Sequence, residues 1–114
     1  MAKVFITEQL FKEIQKKFNK EKANEIIDFL ETLEENPKKG KEIGPIGRIL
    51  IKELRYEKFR FYFLTDGYKL KFFKLEDLKD LVIKFVRMSE KKDQQKVIEE
   101  IKRIITILGE KEFE

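Results

Sequence analysis

The chain contains no cysteine and no histidine, and each absence excludes a class of functional site. Without cysteine there is no disulfide, no thiolate-ligated zinc or iron–sulfur site and no cysteine nucleophile. Without histidine there is no Ser–His–Asp hydrolysis and no imidazole metal ligand or acid–base group. An enzyme built on this sequence works with Lys, Arg, Glu, Asp, Tyr or backbone groups, and we expect neither a metal nor a cofactor.

Long apolar stretches and a targeting segment are also missing. Apolar runs such as Ile49–Ile51 are far shorter than the ~20 residues of a membrane span. Residues 1–5 lead directly into patterned sequence, without the basic, apolar and small-residue zones of a signal peptide. With 114 residues, of which 41% are hydrophobic, the chain is long enough to bury a core. We therefore expect a single cytoplasmic domain over residues 1–114.

Charge is abundant: 42% of the residues are charged, and 26 basic residues stand against 22 acidic ones. A Lys- and Glu-rich surface is typical of heat-adapted proteins. A pI near 9.2 also fits a polyanionic partner such as nucleic acid. The net charge of +4 does not separate the two interpretations, so the positions of the few arginines are more informative. These are Arg48, Arg55, Arg60, Arg87 and Arg103.

Hydrophobic spacing predicts an α+β domain with the element order β-α-α-β-β-β-β-α. The predicted strands are 2–7, 48–55, 59–64, 68–75 and 81–88, and the predicted helices are 8–18, 21–35 and about 90–108. Thr7 is the expected N-cap of the first helix, and Gly109 ends the last one. Residues 36–47 hold both prolines and are predicted to be a loop, while Asp66-Gly67 predicts a hairpin turn. We expect helices segregated from a mostly antiparallel meander sheet.

Three of the arginines stand on or at the ends of predicted strands. Arg55 ends one strand, Arg60 lies in its hairpin partner, and Arg87 lies near the end of the last strand. On a twisted antiparallel sheet such positions can converge on one face or rim. Arginine in a chain that otherwise uses lysine suggests that the planar guanidinium matters, as in phosphate binding. The alternative is Arg–Glu pairing within the sheet, with Glu53 and Glu57 as partners.

A polar, basic segment follows the last predicted strand. Its lysines are candidate contacts to an RNA backbone, and its glutamines to bases or ribose. These residues are Lys91, Lys92, Gln94, Gln95 and Lys96. The alternative is a solvated first helical turn with Ser89 as N-cap and Lys92 at its third position. Lysines at a helix N-terminus are unfavourable unless an anion completes the site, which favours the functional interpretation.

Further lysines and the tyrosines give weaker signals. The loop lysines Lys38, Lys39 and Lys41 form a charge run of the kind that is usually solvated. We nevertheless count Lys41, together with Lys52 of the first hairpin strand, among the expected RNA contacts. Each of the three phenols can donate a proton or stack on a base, although such positions are more often half-buried packing. They are Tyr56, Tyr62 and Tyr68.

Three segments place basic residues among apolar ones: Ile51-Lys52-Glu53-Leu54-Arg55, Phe59-Arg60-Phe61-Tyr62-Phe63 and Phe85-Val86-Arg87-Met88-Ser89-Glu90-Lys91. Their order and spacing resemble the RelE/ParE superfamily of toxin–antitoxin toxins, especially its HigB-like branch. They follow the family layout E-L-R … [YF]-R-[VIF]-x-[YF] … F-x-K-K-[ST]-x-K. The similarity covers about residues 2–105, and the motifs are individually short.

The resemblance implies a small RelE-like fold and a metal-independent endoribonuclease, an mRNA interferase that blocks translation. Such an enzyme cuts mRNA on the ribosome by attack of the ribose 2′-hydroxyl on the adjacent phosphate, and a cognate antitoxin inhibits it. Basic side chains stabilise the added negative charge of the transition state. By motif match, Arg55, Arg60, Arg87 and Lys91 occupy the basic catalytic positions of the family.

The chain departs from the family pattern in three places. The segment Leu75–Asp80 looks like an insertion that lengthens the hairpin before the last strand. Met88 stands where many relatives have a second basic residue, and residues 93–95 replace the usual Tyr or His after the last strand. Two alternatives therefore stay open. The first is a catalytically weak or inactive module of the same fold that binds RNA or protein. The second is a ParE-like inhibitor of DNA gyrase.

Overall fold

The chain folds into one β-sheet with helices packed on both of its faces. The computed structural model describes residues 1–109 and Phe113. Within them the strands are β1 (Lys3–Ile6), β2 (Lys41–Ile46), β3 (Ile49–Tyr56), β4 (Phe59–Asp66) and β5 (Val82–Glu90). The helices are α1 (Glu8–Lys17), α2 (Lys20–Glu31), α3 (Gly67–Phe72) and α4 (Gln94–Leu108). Short 3₁₀ turns cover Thr32–Glu34, Leu75–Asp77 and Lys91–Asp93.

The sheet has the strand order β1-β5-β4-β3-β2. Strands β2, β3, β4 and β5 pair antiparallel in sequence order and form a meander, although two of its members differ from the predicted set: β2 is present and the predicted strand 68–75 is absent from the sheet. The first strand pairs parallel with β5, from Lys3 opposite Val82 to Ile6 opposite Phe85, so the sheet is mixed. The protein is thus an α+β fold. None of the helices in the described part of the chain is long and apolar enough to cross a membrane.

Local capping signals set the ends of the helices. The Thr7 hydroxyl accepts a hydrogen bond from the Leu10 amide at 3.3 Å, which confirms the predicted start of α1. The Asn19 side chain accepts from the Lys22 amide at 2.8 Å and begins α2. At the end of α4, Gly109 has φ 88° and donates its amide to the carbonyls of Ile104 and Ile105. Glycine adopts this conformation without a Cβ clash, so the predicted stop is confirmed.

Strand alternation divides the apolar residues between two cores, one on each face of the sheet. The first face is covered by α1 and α2, and we call it the hairpin face; Leu54, Phe61, Phe63 and Phe85 pack there against Leu10, Ile14, Ile26 and Leu30. The second is covered by α4, and we call it the α4 face; Ile51, Tyr62, Leu64 and Val86 pack there with Ile98, Ile101 and Ile105. Helices therefore lie on both faces of the sheet, and α3 also comes between the strands β4 and β5 in the sequence.

A β-bulge in β5 changes which of its residues face α4. Tyr62 pairs with Arg87, but the next residue of β4, Phe63, pairs with Phe85, so Val86 is an extra residue. Val86 belongs to the core under α4, and Arg87 bonds to a residue of α4. The bulge therefore places two consecutive side chains on the same face.

The predicted strand over 68–75 is wrong, because this segment begins with a helix. Asp66 caps α3, accepting from the Lys69 amide at 3.0 Å, and the Gly67 amide donates to the Arg48 carbonyl at 2.8 Å. A two-residue Asp-Gly hairpin needs positive φ at the glycine. Gly67 is not among the glycines with positive φ. The dipeptide therefore starts a helical turn instead of a hairpin.

The predicted loop over 36–47 is also wrong in its second half, where Lys41–Ile46 forms β2. This strand lies at the edge of the sheet and pairs only with β3. Proline lacks a backbone N–H, so Pro45 is tolerated on an edge strand. Gly47, with φ 59°, provides the tight turn into β3.

Candidate functional site

Strand pairing places the polar residues of the sheet in two adjacent rows. The first row contains Arg55, Arg60 and Ser89. The second row, two residues further along each strand, contains Lys41, Glu53, Tyr62 and Arg87. Tyr62 belongs to the core under α4, so both rows lie on the α4 face. We call these residues the arginine patch; its three arginines share one face. Strand alternation puts Arg55 and Arg60 there, and the β5 bulge adds Arg87.

Arg60 is the most buried arginine of the patch, with 7% of its surface exposed. Its Nε lies 3.4 Å from Oε1 of Glu53, and both side chains are more than nine-tenths buried. Its Nη1 donates to the Lys58 carbonyl at 3.2 Å. The side-chain amide of Gln94, at the start of α4, donates from Nε2 to the same Glu53 oxygen at 3.1 Å. The guanidinium is thus held rigidly, and its charge is compensated by the expected glutamate partner.

Arg87 joins the sheet to α4. Its Nε donates to Oε1 of Glu100 at 2.8 Å, and its Nη1 donates to the Val86 carbonyl at 2.8 Å. The guanidinium carbon lies 5.0 Å from the centre of the Phe113 ring, a cation–π contact. The Arg87 guanidinium therefore contacts Glu100, the Val86 carbonyl and the Phe113 ring, and the side chain is only partly exposed.

Tyr62 and Ser89 form a buried hydroxyl pair within the patch. Their oxygens are 2.9 Å apart, and Tyr62 is fully buried. Burial raises the pKa of the Tyr62 phenol, an effect that the Ser89 hydrogen bond and the Arg60 charge only partly oppose. The phenol therefore stays protonated at neutral pH. The alternative interpretation in which Ser89 caps the last helix is wrong, because Ser89 lies within β5.

Four exposed cations lie at one end of the sheet. Tyr56, Phe59 and Glu90 are paired neighbours, so the β3–β4 turn and the 3₁₀ turn after β5 lie side by side. We call Arg55, Lys58, Lys91 and Lys92 the cationic end; all four are exposed. Because α4 begins only at Gln94, Lys92 lies in the preceding 3₁₀ turn. The alternative interpretation that made Lys92 the third residue of the helix is therefore wrong.

The polar residues at the start of α4 are engaged within the protein. Gln94 bonds to Glu53, and the Gln95 amide donates to Glu99 at 2.8 Å. Lys96 is exposed and lines a cleft of about 350 Å³ between α1, β5 and α4. The carboxylates of Glu13, Glu90, Asp93 and Glu100 line this cleft as well. Burial raises the pKa of Glu13, whereas Lys17 and Arg87 lower it. So acidic a cleft is a poor place for an RNA phosphate.

The two remaining lysines among the expected RNA contacts, Lys41 and Lys52, lie on opposite faces of the sheet. Lys41 is exposed and pairs in register with Glu53, which extends the second row onto β2. Lys52 precedes Glu53 and points to the opposite, hairpin face. There its Nζ donates to the Lys38 carbonyl at 3.0 Å. Lys52 is therefore not part of the arginine patch.

Sequence reasoning missed the Tyr62–Ser89 pair. The period-two pattern of Phe59–Leu64 contained a usable signal, because it puts Tyr62 on the same face as Arg60. The bulge that turns Arg87 toward α4 has no comparable local signature. No group of three or more His, Cys, Asp or Glu residues able to hold a metal ion occurs within residues 1–109 and Phe113.

We compared the chain with protein-family models, with curated proteins and with solved structures, and none of the three comparisons gives a match.

Proposed function

We propose that this protein is a toxin-like endoribonuclease with a RelE-like fold, which cleaves ribosome-associated mRNA and is neutralised by a cognate antitoxin. The observation that supports the proposal is the row of Arg55 and Arg60, with Arg87 in the next row of the same face. These are the arginines that the sequence motifs match to the basic positions of the RelE/ParE toxins. Lys91, the fourth matched residue, lies at the cationic end beside them.

We assign the roles of these basic residues from the exposure of their side chains. Arg55, Lys91 and Lys92 are exposed and contact the RNA backbone, whereas Arg60 is fixed behind them by Glu53 and the Lys58 carbonyl. The ribose 2′-hydroxyl gives its proton to water and its oxygen attacks the adjacent phosphorus, while the P–O5′ bond breaks and the 5′-oxygen takes a proton from water. The products are a 2′,3′-cyclic phosphate and a 5′-hydroxyl. Arg60 stabilises the additional negative charge on the phosphoryl oxygens. Access to Arg60 requires Gln94 to release Glu53 and the start of α4 to move aside.

The test is mRNA cleavage in the presence of translating ribosomes. We expect Arg60→Ala to lower cleavage by about 10²- to 10³-fold, as for loss of a preorganised transition-state donor. Arg55→Ala, at an exposed position, should also lower cleavage without affecting folding. Arg103→Ala removes the same charge from an exposed position on α4 and serves as the matched control. Absence of cleavage by the wild-type protein, or equal cleavage by all variants, would contradict the proposal.

A second candidate function is RNA binding without cleavage. The observation that favours it is the buried Arg60–Glu53 ion pair, which compensates the charge of the proposed catalytic arginine. With phosphate contacts from Arg55, Lys91 and Lys92, log K should fall with log salt concentration with a slope of about −2 for single-stranded RNA. Salt-sensitive binding with intact RNA would select this candidate. Inhibition of gyrase supercoiling with intact mRNA would instead select the gyrase-directed alternative.

A further inference from the structure

A second cavity lies on the hairpin face, between the β2–β3 hairpin, α3 and the loop before β2. It has a volume of about 800 Å³, within the range of small-molecule sites. Its lining includes Lys38, Arg48, Leu50, Lys52, Tyr68 and Lys71. None of its lining residues belongs to the arginine patch, which lies on the other side of the sheet.

Hydrogen bonds hold the walls of this cavity together. The Gly67 amide donates to the Arg48 carbonyl at 2.8 Å, which fixes the start of α3 against β3. The Lys38 ammonium donates to the Phe73 carbonyl at 3.4 Å and ties the loop to the end of α3. Gly67 lies so close to β3 that an added Cβ would come within 3.1 Å of the Leu50 Cβ. The cavity is therefore framed by fixed elements.

The lining is strongly cationic. Four of its side chains are basic, and Glu42 is its single carboxylate. Arg48 is paired with Asp66 at 2.9 Å, so its charge is compensated from outside the cavity. Without Arg48, the charged lining consists of three lysines and one glutamate: Lys38, Lys52, Lys71 and Glu42. Such an imbalance inside a concave site favours an anionic ligand.

Lys52 forms the buried part of this cationic lining, with 2% of its surface exposed. Its ammonium donates to the Lys38 carbonyl and lies 5.8 Å from the centre of the Phe63 ring. Among the described residues no carboxylate lies within ion-pair distance of Lys52. An ammonium carries three N–H donors, so it can donate to a bound anion as well as to the carbonyl. Burial lowers the pKa of Lys52, and an anion at this position would raise it again.

An aromatic side chain stands at the edge of the cavity. Tyr68 is 53% exposed, and its ring lies 4.9 Å from Phe72 and 5.0 Å from the Arg48 guanidinium. An exposed ring next to cationic groups suits a nucleobase, which stacks on aromatic faces irrespective of its sequence identity. Leu50, Leu70 and Pro45 add apolar surface to the lining.

We propose that this cavity binds a nucleotide, with Lys52 and Lys71 contacting its phosphate and Tyr68 stacking on its base. The phosphate next to a base comes either from a free mononucleotide or from one nucleotide of an RNA strand. The proposal does not rest on RNA cleavage at the arginine patch, because the two sites share no residue and lie on opposite faces.

The test is isothermal titration of the full chain with 5′-AMP, adenosine, inorganic phosphate and a short single-stranded RNA. We expect 5′-AMP to bind more tightly than adenosine or phosphate, since it engages both the lysines and the ring. Lys52→Met should weaken 5′-AMP binding on the order of 10- to 100-fold, as for loss of a charged hydrogen bond. Tighter binding of RNA than of 5′-AMP, with the same dependence on Lys52, identifies a strand as the source; the reverse order identifies a free nucleotide.

Control variants make the outcome decisive. Lys96→Met and Arg103→Ala each remove an exposed cation from α4, and both should leave 5′-AMP binding unchanged. If Lys52→Met does not fold by circular dichroism, Lys71→Ala and Tyr68→Ala, both at exposed positions, decide the matter. The proposal is overturned if 5′-AMP does not bind at millimolar concentration, or if the cavity variants that fold bind it as well as the wild type. Lys52-dependent binding of poly-glutamate without 5′-AMP binding also overturns it.

Discussion

The α4 face and the hairpin face of the sheet each bury one basic side chain, and they accommodate it differently. On the α4 face, Arg60 forms an ion pair with Glu53 at 3.4 Å. On the hairpin face, Lys52 contacts a carbonyl oxygen and an aromatic ring and has no carboxylate at ion-pair distance among the described residues. Lys52 and Glu53 are consecutive in β3, so adjacent residues of opposite charge serve opposite faces of the sheet.

The difference between the two faces follows from the chemistry of the two cations. A guanidinium does not lose its proton in a protein, so a buried arginine needs a partner that offsets its charge. A lysine ammonium can lose its proton, and burial lowers the pKa of Lys52. Arg60 therefore depends on Glu53 as a fixed partner within the protein, whereas Lys52 remains available to an anion that binds from outside.

The largest expected effect comes from removing the partner of Arg60. Glu53→Ala leaves a buried, uncompensated guanidinium and should lower the free energy of unfolding by about 3–5 kcal/mol. Urea denaturation measures this change. Glu57→Ala is the matched control: it removes an exposed carboxylate that lies 2.6 Å from Lys22, and it should cost less than about 1 kcal/mol. Equal effects of the two variants would show that the buried ion pair contributes no more to the free energy of unfolding than the exposed one.

A smaller effect is expected for the hydroxyl pair on the same face. Tyr62→Phe leaves the buried Ser89 hydroxyl without its 2.9 Å partner and should lower the free energy of unfolding by about 1–3 kcal/mol. The double variant Tyr62→Phe/Ser89→Ala should cost less than the sum of the two single variants, because both remove one interaction. Additive costs in this double-mutant cycle would argue that the hydroxyls do not interact.

The pH dependence of stability distinguishes Lys52 from Arg60. The pKa of Lys52 is lowered from its ordinary value of 10.5 by burial, which the charge of Glu42 only partly offsets. Between the lowered pKa and 10.5 the unfolded chain binds more protons than the folded one, so stability rises with pH in that window. Lys52→Met should remove this rise, by at most about 1.4 kcal/mol per pH unit for one proton.

Urea denaturation of wild type and Lys52→Met from neutral pH to about pH 10.5 measures this difference. Lys96→Met, at an exposed position, should keep the wild-type pH dependence. An identical pH dependence of wild type and Lys52→Met would mean that the burial of Lys52 does not affect its titration.

The smallest effect is expected at the exposed pair that joins the two turns of the cationic end. Lys58 and Glu90 are 3.7 Å apart, and their side chains are 71% and 33% exposed. Lys58→Ala should change the free energy of unfolding by about 0–1 kcal/mol, and less at high salt, because water and salt screen such pairs. A loss comparable to that of Glu53→Ala would contradict the contrast between buried and exposed pairs.

Much of the fold was predictable from local signals. The helical spacing of Leu10 and Ile14, with the Thr7 cap, predicts α1, and Gly109 predicts the end of α4. The alternation of Phe59–Leu64 predicts β4 and its two faces. The predictions were wrong for 41–46 and 68–75, where local composition and final structure disagree. An edge strand forms because a partner strand is present, and α3 forms because Gly67 is fixed against the Arg48 carbonyl.

The candidate site was predictable in part for the same reason. Strand alternation puts Glu53, Arg55, Arg60 and Tyr62 on one face and Lys52 on the other, although our list of expected RNA contacts had placed Lys52 with the arginines. The full set of partners around Arg60 was not predictable, because Gln94, which donates to the same Glu53 oxygen, lies more than 30 residues further along the chain.

The sequence by itself determined the periodicity of each element, the capping of its helices and the restriction of its chemistry to basic, acidic and phenolic groups. These follow from covalent geometry and from contacts within a few residues. Only the tertiary structure decided which buried cation meets a carboxylate and which lines an open cavity. The β3–β4 register brings Glu53 next to Arg60, and β2, α3 and the loop before β2 enclose Lys52, so the choice depends on residues that are distant in the sequence.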